Sequence, residues 1–215
     1  GGMHRSGTSA ITRALEVLGV DLGGRLLSAA DGDDGDNETG FWEDSDFNAL
    51  NIELLRAIDK DWFYTSPVTQ IDLEILNKQG YFLKAETLVK EKLKDRKLFG
   101  VKDPRMAQLL PFWKEFFAKC DVNVSYVLTI RQPLSVSKSL EKRGWEVRER
   151  NCLLWLSYVV ASLSLTDSNS RVLVDYDRLM RDSEHELERM EHSLNLSVDK
   201  KKLDDYQSKF LDHNL

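Results

Sequence analysis

Eight residues, Gly2-Met3-His4-Arg5-Ser6-Gly7-Thr8-Ser9, constrain this chain more than any other stretch. The two glycines stand at the separation of a phosphate-binding loop, G-x-x-x-x-G-K-[ST], whose backbone N–H groups wrap an anion between a buried strand and a helix. Thr8 occupies the place of the lysine that an ATP-using loop needs, and a cation sits inside the loop instead, at Arg5. Thr8 and Ser9 supply hydroxyl donors, and the following helix supplies its positive end. The loop therefore suits a phosphorylated donor other than a magnesium-bound triphosphate.

The rest of the chain reads as the α/β frame such a loop requires. Ile11, Ala14, Leu15 and Leu18 recur at helical spacing, and Gly19 provides a left-handed stop. Further helical patterns cover Ser45 to Ile58 and about 83–94, 106–118, 134–143, 151–166, 183–194 and 199–211. Between them lie apolar runs at Leu98–Val101, Ser125–Ile130 and Arg171–Val174, apolar on both faces as strands of a buried parallel sheet are. The expected architecture is a P-loop-type three-layer α/β fold, with a short parallel sheet flanked by helices, in one domain over residues 1–215. Phosphate loops follow a strand, so the chain is expected to be a fragment lacking its first β-strand and part of the C-terminal tail.

Composition narrows the function. A net charge of −6 disfavours a nucleic-acid partner while leaving room for a local basic pocket. Cys120 and Cys152 stand far apart with no histidine at ligand spacing, so neither a disulfide framework nor a metal site is expected. The acidic stretch 30–39 lacks the order of a calcium loop and reads as a solvated loop. No apolar run is long enough for a membrane helix, and a cytoplasmic location is expected. Oligomeric state is not encoded legibly.

Ligands of parallel sheets bind beyond the carboxyl ends of the strands. That rule selects Lys102-Asp103-Pro104-Arg105, Arg131-Gln132-Pro133 and Asp175-Tyr176-Asp177. Arg5, Lys102 and Arg131 converge there by topology, implying a ligand with several anionic groups. After Arg131, the Pro-started segment carries Ser139 eight residues on and Arg143 twelve residues on.

Together these motifs resemble the sulfotransferases that use 3′-phosphoadenosine 5′-phosphosulfate (PAPS), over residues 2 to about 179. The chain looks closest to bacterial-type members through Gly2–Ser9, Gly40-Phe41-Trp42-Glu43, Lys102-Asp103-Pro104-Arg105, Arg131-Gln132-Pro133 and Tyr176-Asp177-Arg178-Leu179. It is similar to tyrosylprotein sulfotransferases in the first and third of these. The resemblance implies that Arg5, Ser6, Gly7, Thr8 and Ser9 hold the 5′-phosphosulfate, with Arg5 stabilising the transferring group. It implies Lys102 at the leaving oxygen, Arg131 and Ser139 at the 3′-phosphate with Arg143 as a further contact, and no metal. The Tyr176–Leu179 element is taken as structural.

Glu43 is the candidate general base, with His4 as a rival beside the loop. Asp103 is expected to partner Arg5 or Lys102. Trp42 and Trp62 are candidates for an acceptor pocket built from loops 24–40 and 59–82, while Arg148 and Arg150 read as a solvated face. The implied activity is sulfuryl transfer to a hydroxyl or amine of a carbohydrate, lipid or peptide. The alternatives are a P-loop kinase using ATP and a nucleotide-binding module without transfer.

Overall fold

Val127 and Leu128 in one run and Val172 and Val174 in the other are apolar, and pairing lets both runs bury them while satisfying their backbone groups. In the computed structural model, which describes residues 1–28, 40–145, 147–167 and 171–207, they form a parallel pair. Strand β1, Tyr126–Ile130, aligns with β2, Arg171–Asp175, with Tyr126 opposite Arg171 and Ile130 opposite Asp175. The connection between them runs through helices α6, Pro133–Glu141, and α7, Arg148–Leu165. Gly1 lies along β1, where its carbonyl accepts from the Thr129 N–H at 2.7 Å. The phosphate-type loop thus leaves directly from the sheet.

Helix α1, Thr8–Val17, starts at Gly7, whose φ of 80° is left-handed, and no side chain caps its first turn. It ends at Gly19, φ 78°, as expected. Helix α2, Ser45–Ala57, is capped by Asp44, which accepts from the Asp46 and Phe47 N–H groups at 3.1 Å each. Helices α3, Gln70–Lys78, and α4, Tyr81–Leu93, follow, and α5 spans Leu110–Cys120. After β2 come α8, Tyr176–Arg181, α9, Ser183–Leu194, and α10, Lys200–Asp205.

Three apolar cores hold these elements. Phe47, Leu54, Leu76, Phe112 and Trp113 join α2 to α5, and Ile11, Val17, Val174, Leu187 and Met190 join α1 to β2 and α9. The third core is small and sits under the loop: Met3 packs there with Ala107, Val136, Leu140, Leu154 and Tyr158. It anchors the loop to α6 and α7.

Three expectations change. Leu98–Val101 is not a strand of the sheet; Phe99 makes a single bridge to Asp21, and the Gly100 N–H donates to the Asp21 carbonyl at 2.8 Å. Gly100 permits this because a Cβ there would lie 2.6 Å from Val20 Cγ1. The 59–82 region is not simply loop, since it contains α3 and the start of α4. Thr69 and Asp72 form a reciprocal capping box that starts α3. The helix expected over 106–118 is divided into a short 3-10 helix, Pro104–Ala107, and α5, while the 30–39 stretch and the end of the 199–211 pattern lie outside the described residues.

Candidate functional site

The loop Gly2–Gly7 is shaped by close approaches that only glycine allows. A Cβ on Gly2 would stand 2.9 Å from the Thr129 side chain. On Gly7 it would stand 1.9 Å from a Tyr176 ring carbon, so the ring covers that face of the loop. Ser6 is buried, and its N–H donates to the Met3 carbonyl at 3.2 Å. Ser9 Oγ donates to the Phe41 carbonyl at 3.3 Å. No side chain caps α1 at Gly7, so the positive end of the helix faces the loop.

Two guanidiniums meet at this loop. Arg5, itself left-handed at φ 68°, donates from Nε to Ser139 Oγ at 2.9 Å. Arg131, just past β1, donates to the Arg5 carbonyl at 3.2 Å and stacks 4.4 Å above the Tyr176 ring. Its Nε is buried without a hydrogen-bond partner. Burial lowers the pKa of Arg5, and the like charge of Arg131 lowers it further. Like charges drawn together in a half-buried place, with an unfilled donor, describe a site that gains by taking an anion. Arg143 lies four residues past Ser139, half-buried in the turn after α6.

A second group of charges lies beside the loop. Glu43 is only 5% exposed, and its two oxygens accept from Lys102 Nζ at 2.8 Å and Asn48 Nδ2 at 2.6 Å, with Arg105 at 3.6 Å. Lys102 also donates to the Phe41 carbonyl at 2.8 Å. The cap of α2 is Asp44, leaving Glu43 to these cations.

Asp103 does not partner Arg5 or Lys102 as expected. It pairs with Arg105 at 3.1 Å and accepts from Asn51 Nδ2 at 2.9 Å, and Asn51 in turn accepts from Trp113 Nε1 at 2.9 Å. The reason is geometric: Pro104 turns the chain into the 3-10 helix, which points Arg105 back over the Asp103 cap. Burial, and next the charge of Glu43, push the Asp103 carboxyl up to about 6. Burial opposes the charge on Arg105, but Asp103 and Glu43 outweigh it and raise its pKa.

His4 completes the wall of the site. Its ring packs 4.6 Å from Trp62 and 6.3 Å from Tyr158, and its Nδ1 is buried with no partner. Burial, then Arg105, Lys102 and Arg5, hold its pKa well below the usual imidazole range, so it is neutral. Trp42 has a different setting from Trp62. It lies under Arg13 at 5.0 Å and lines a cavity of about 300 Å³ with Glu16, Asp21, Leu22 and Lys202.

No family model matches the chain, and no curated protein matches it. A solved structure does: the sulfotransferase domain of the Synechococcus PCC 7002 olefin synthase, at a TM-score of 0.54 and 16% identity, covering 99% of this chain and 79% of that one. The chain has the fold of that sulfotransferase domain. At this identity the likeness concerns the path of the backbone.

The structure thus gathers Arg5, Ser139 and Arg131 at one point, and Glu43 with Lys102 at another. Sequence reasoning missed the ring of Tyr176 against Gly7. The strand-end rule had selected that residue, and its place directly after β2 was the available signal. Arg105, selected in the sequence only as part of Lys102–Arg105, is bound by Asp103 and Glu43. Asn51 gave no signal, since a lone asparagine inside a helix normally faces water.

Proposed function

We propose that this chain is a PAPS-dependent sulfotransferase, moving a sulfuryl group to a hydroxyl or amine of a carbohydrate, lipid or peptide. The observation that carries the reading is the meeting of Arg5, Arg131 and Ser139 at the glycine loop, with Arg131 Nε buried and unfilled. Two guanidiniums and a hydroxyl beside the loop suit a donor phosphorylated at both its 3′ and 5′ positions. A guanidinium fork suits phosphate oxygens.

In this reading Ser6, Gly7, Thr8, Ser9 and Arg5 hold the 5′-phosphosulfate. Arg131, Ser139 and Arg143 hold the 3′-phosphate. The acceptor oxygen or nitrogen bonds to sulfur as the bond from sulfur to the bridging oxygen breaks. The electron pair leaves with the nucleoside bisphosphate, where Lys102 stabilises it, and the acceptor proton passes to Glu43. Lys102 is shared, since in the structure it rests on Glu43 at 2.8 Å. Its transfer to the donor would free that carboxylate oxygen.

Calorimetry with 3′,5′-adenosine diphosphate and with ATP and magnesium tests the reading. The bisphosphate should bind at least about tenfold more tightly, a difference of about 1.4 kcal/mol. Tighter binding of ATP would replace sulfuryl transfer with a kinase assignment.

A further inference from the structure

The donor-binding groups leave one prominent surface unused. Trp62, Phe63 and Trp145 are each half-buried and pack ring to ring, with Trp62 at 4.7 Å from Trp145 and Phe63 at 5.4 Å from Trp145. Tyr64 extends the surface at 5.3 Å from Phe63 and is 42% exposed. One end touches His4 of the glycine loop at 4.6 Å. Over the other end, Arg150 stands 5.9 Å from both the Phe63 and Trp145 rings.

This surface is held in place from beneath. Gln108 Nε2 donates to the Trp62 and Tyr64 carbonyls at 3.1 and 2.6 Å, and Tyr158 Oη donates to the Trp62 carbonyl at 2.7 Å. These rings rest on the third core and keep part of their faces open on a fixed backbone next to a polar centre, as the lining of a binding site does. The charge around it is also biased. In a chain of net −6, residues 138–150 carry Lys138, Lys142, Arg143, Arg148 and Arg150 against Glu141, Glu146 and Glu149, a local excess of two positive charges. Arg148 pairs with Glu141 at 3.3 Å, whereas Arg150 is the cation that faces the rings.

We propose that this wall is the acceptor subsite and that its acceptor is an acidic sugar. The apolar face of a pyranose ring would lie on Trp62, Phe63 and Trp145, its carboxylate or sulfate would meet Arg150, and a hydroxyl would reach past His4 toward the loop. The inference rests on the sulfuryl-transfer reading for its reaction, while the binding it describes stands apart.

Saturation-transfer NMR with methyl β-D-glucuronide, methyl β-D-glucoside and 1-octanol, each with and without 3′,5′-adenosine diphosphate, tests it. The glucuronide should bind about threefold or more tightly than the glucoside, as for one exposed ion pair, and Arg150→Gln should bring that ratio to about one. Trp145→Leu should weaken both sugars by about fivefold or more. Neither substitution should alter bisphosphate affinity, and Arg150 is on the surface, so its variant does not depend on core packing. Sugar affinities unchanged in both variants, or binding of octanol alone, would overturn the proposal. Failure of the bisphosphate to bind would instead remove the donor reading, with the sugar titrations still deciding this one.

Discussion

Glu43 holds a carboxylate almost out of reach of water, and that placement makes sense only with Lys102, Asn48 and Arg105 around it. A buried carboxylate without such partners would be strongly destabilising. Glu43→Gln keeps the shape and removes the proposed proton acceptor. Turnover should fall by about a hundredfold or more, the usual scale of general-base catalysis, with bisphosphate affinity unchanged. Full turnover in this variant would give the base to another residue. His4 offers a separate test through pH. Its neutral, buried imidazole contributes stability that is present above pH 6.5 and is lost as pH falls below it, because the unfolded chain takes up the proton first. Asp103 acts in the opposite sense: its carboxyl, raised to about 6 from 3.8, adds stability as pH falls through that window. His4→Asn removes the first effect and leaves the second. Urea unfolding should show the variant gaining on the parent below pH 6.5, by at most about 1.4 kcal/mol per pH unit. A constant difference between pH 7.5 and 5.5 would mean that the folded imidazole titrates normally.

Elements differ in how far their own residues declare them. β1 and β2 were legible because both are short, β-branched and apolar on the faces they bury. The 98–101 run looks alike in sequence, but Gly100 lets it dock against Val20 and Leu22, and only Phe99 bridges to Asp21. A run of apolar residues does not say whether its neighbour is a strand. α3 was hidden for another reason: only Leu73 and Leu76 among its apolar residues are buried, while Ile71 is 69% exposed. Its start was written at Thr69 and Asp72, in a box that carries Asp where Glu or Gln is the usual signal. Thr69→Ala removes two of those hydrogen bonds. It should cost about 1 kcal/mol, read as a fall of about 2–4 °C in melting temperature. An unchanged melting temperature would show that tertiary packing alone holds α3. The site was legible in part: the meeting of Arg5 and Arg131 follows from loop spacing and one strand end, both local, whereas Lys102 was selected by the end of a run that is not a strand of the sheet and lies instead on Glu43. Tyr176 over Gly7 and Asn51 under Asp103 depend on elements distant in the chain, and sequence spacing carries no trace of them.

At the scale of the molecule, the glycine loop is a junction. Met3 belongs to the core beneath α6 and α7, Ile11 to the core of α1, β2 and α9, and the Glu43–Lys102 pair reaches toward α2. Arg131 and Ser139, from β1 and α6, close on the same loop. In the proposed reading, an anion there would relieve the repulsion between Arg5 and Arg131 and tie these parts together, so its binding energy would become stability of the whole fold. At a concentration a hundredfold above its dissociation constant, 3′,5′-adenosine diphosphate should stabilise the chain by about 2.7 kcal/mol. For a chain of this size that corresponds to a rise of about 5–10 °C in melting temperature. Arg131→Ala should remove most of the rise, since it deletes one guanidinium and the unfilled donor together. The variant also loses the Arg5 carbonyl contact and the stack on Tyr176, so its melting temperature without ligand sets its own baseline. The measured quantity is therefore the increment on adding ligand. An increment as large in Arg131→Ala as in the parent would place the bisphosphate elsewhere on the molecule, and would separate the fold, which the neighbour structure shares, from the donor site proposed for it.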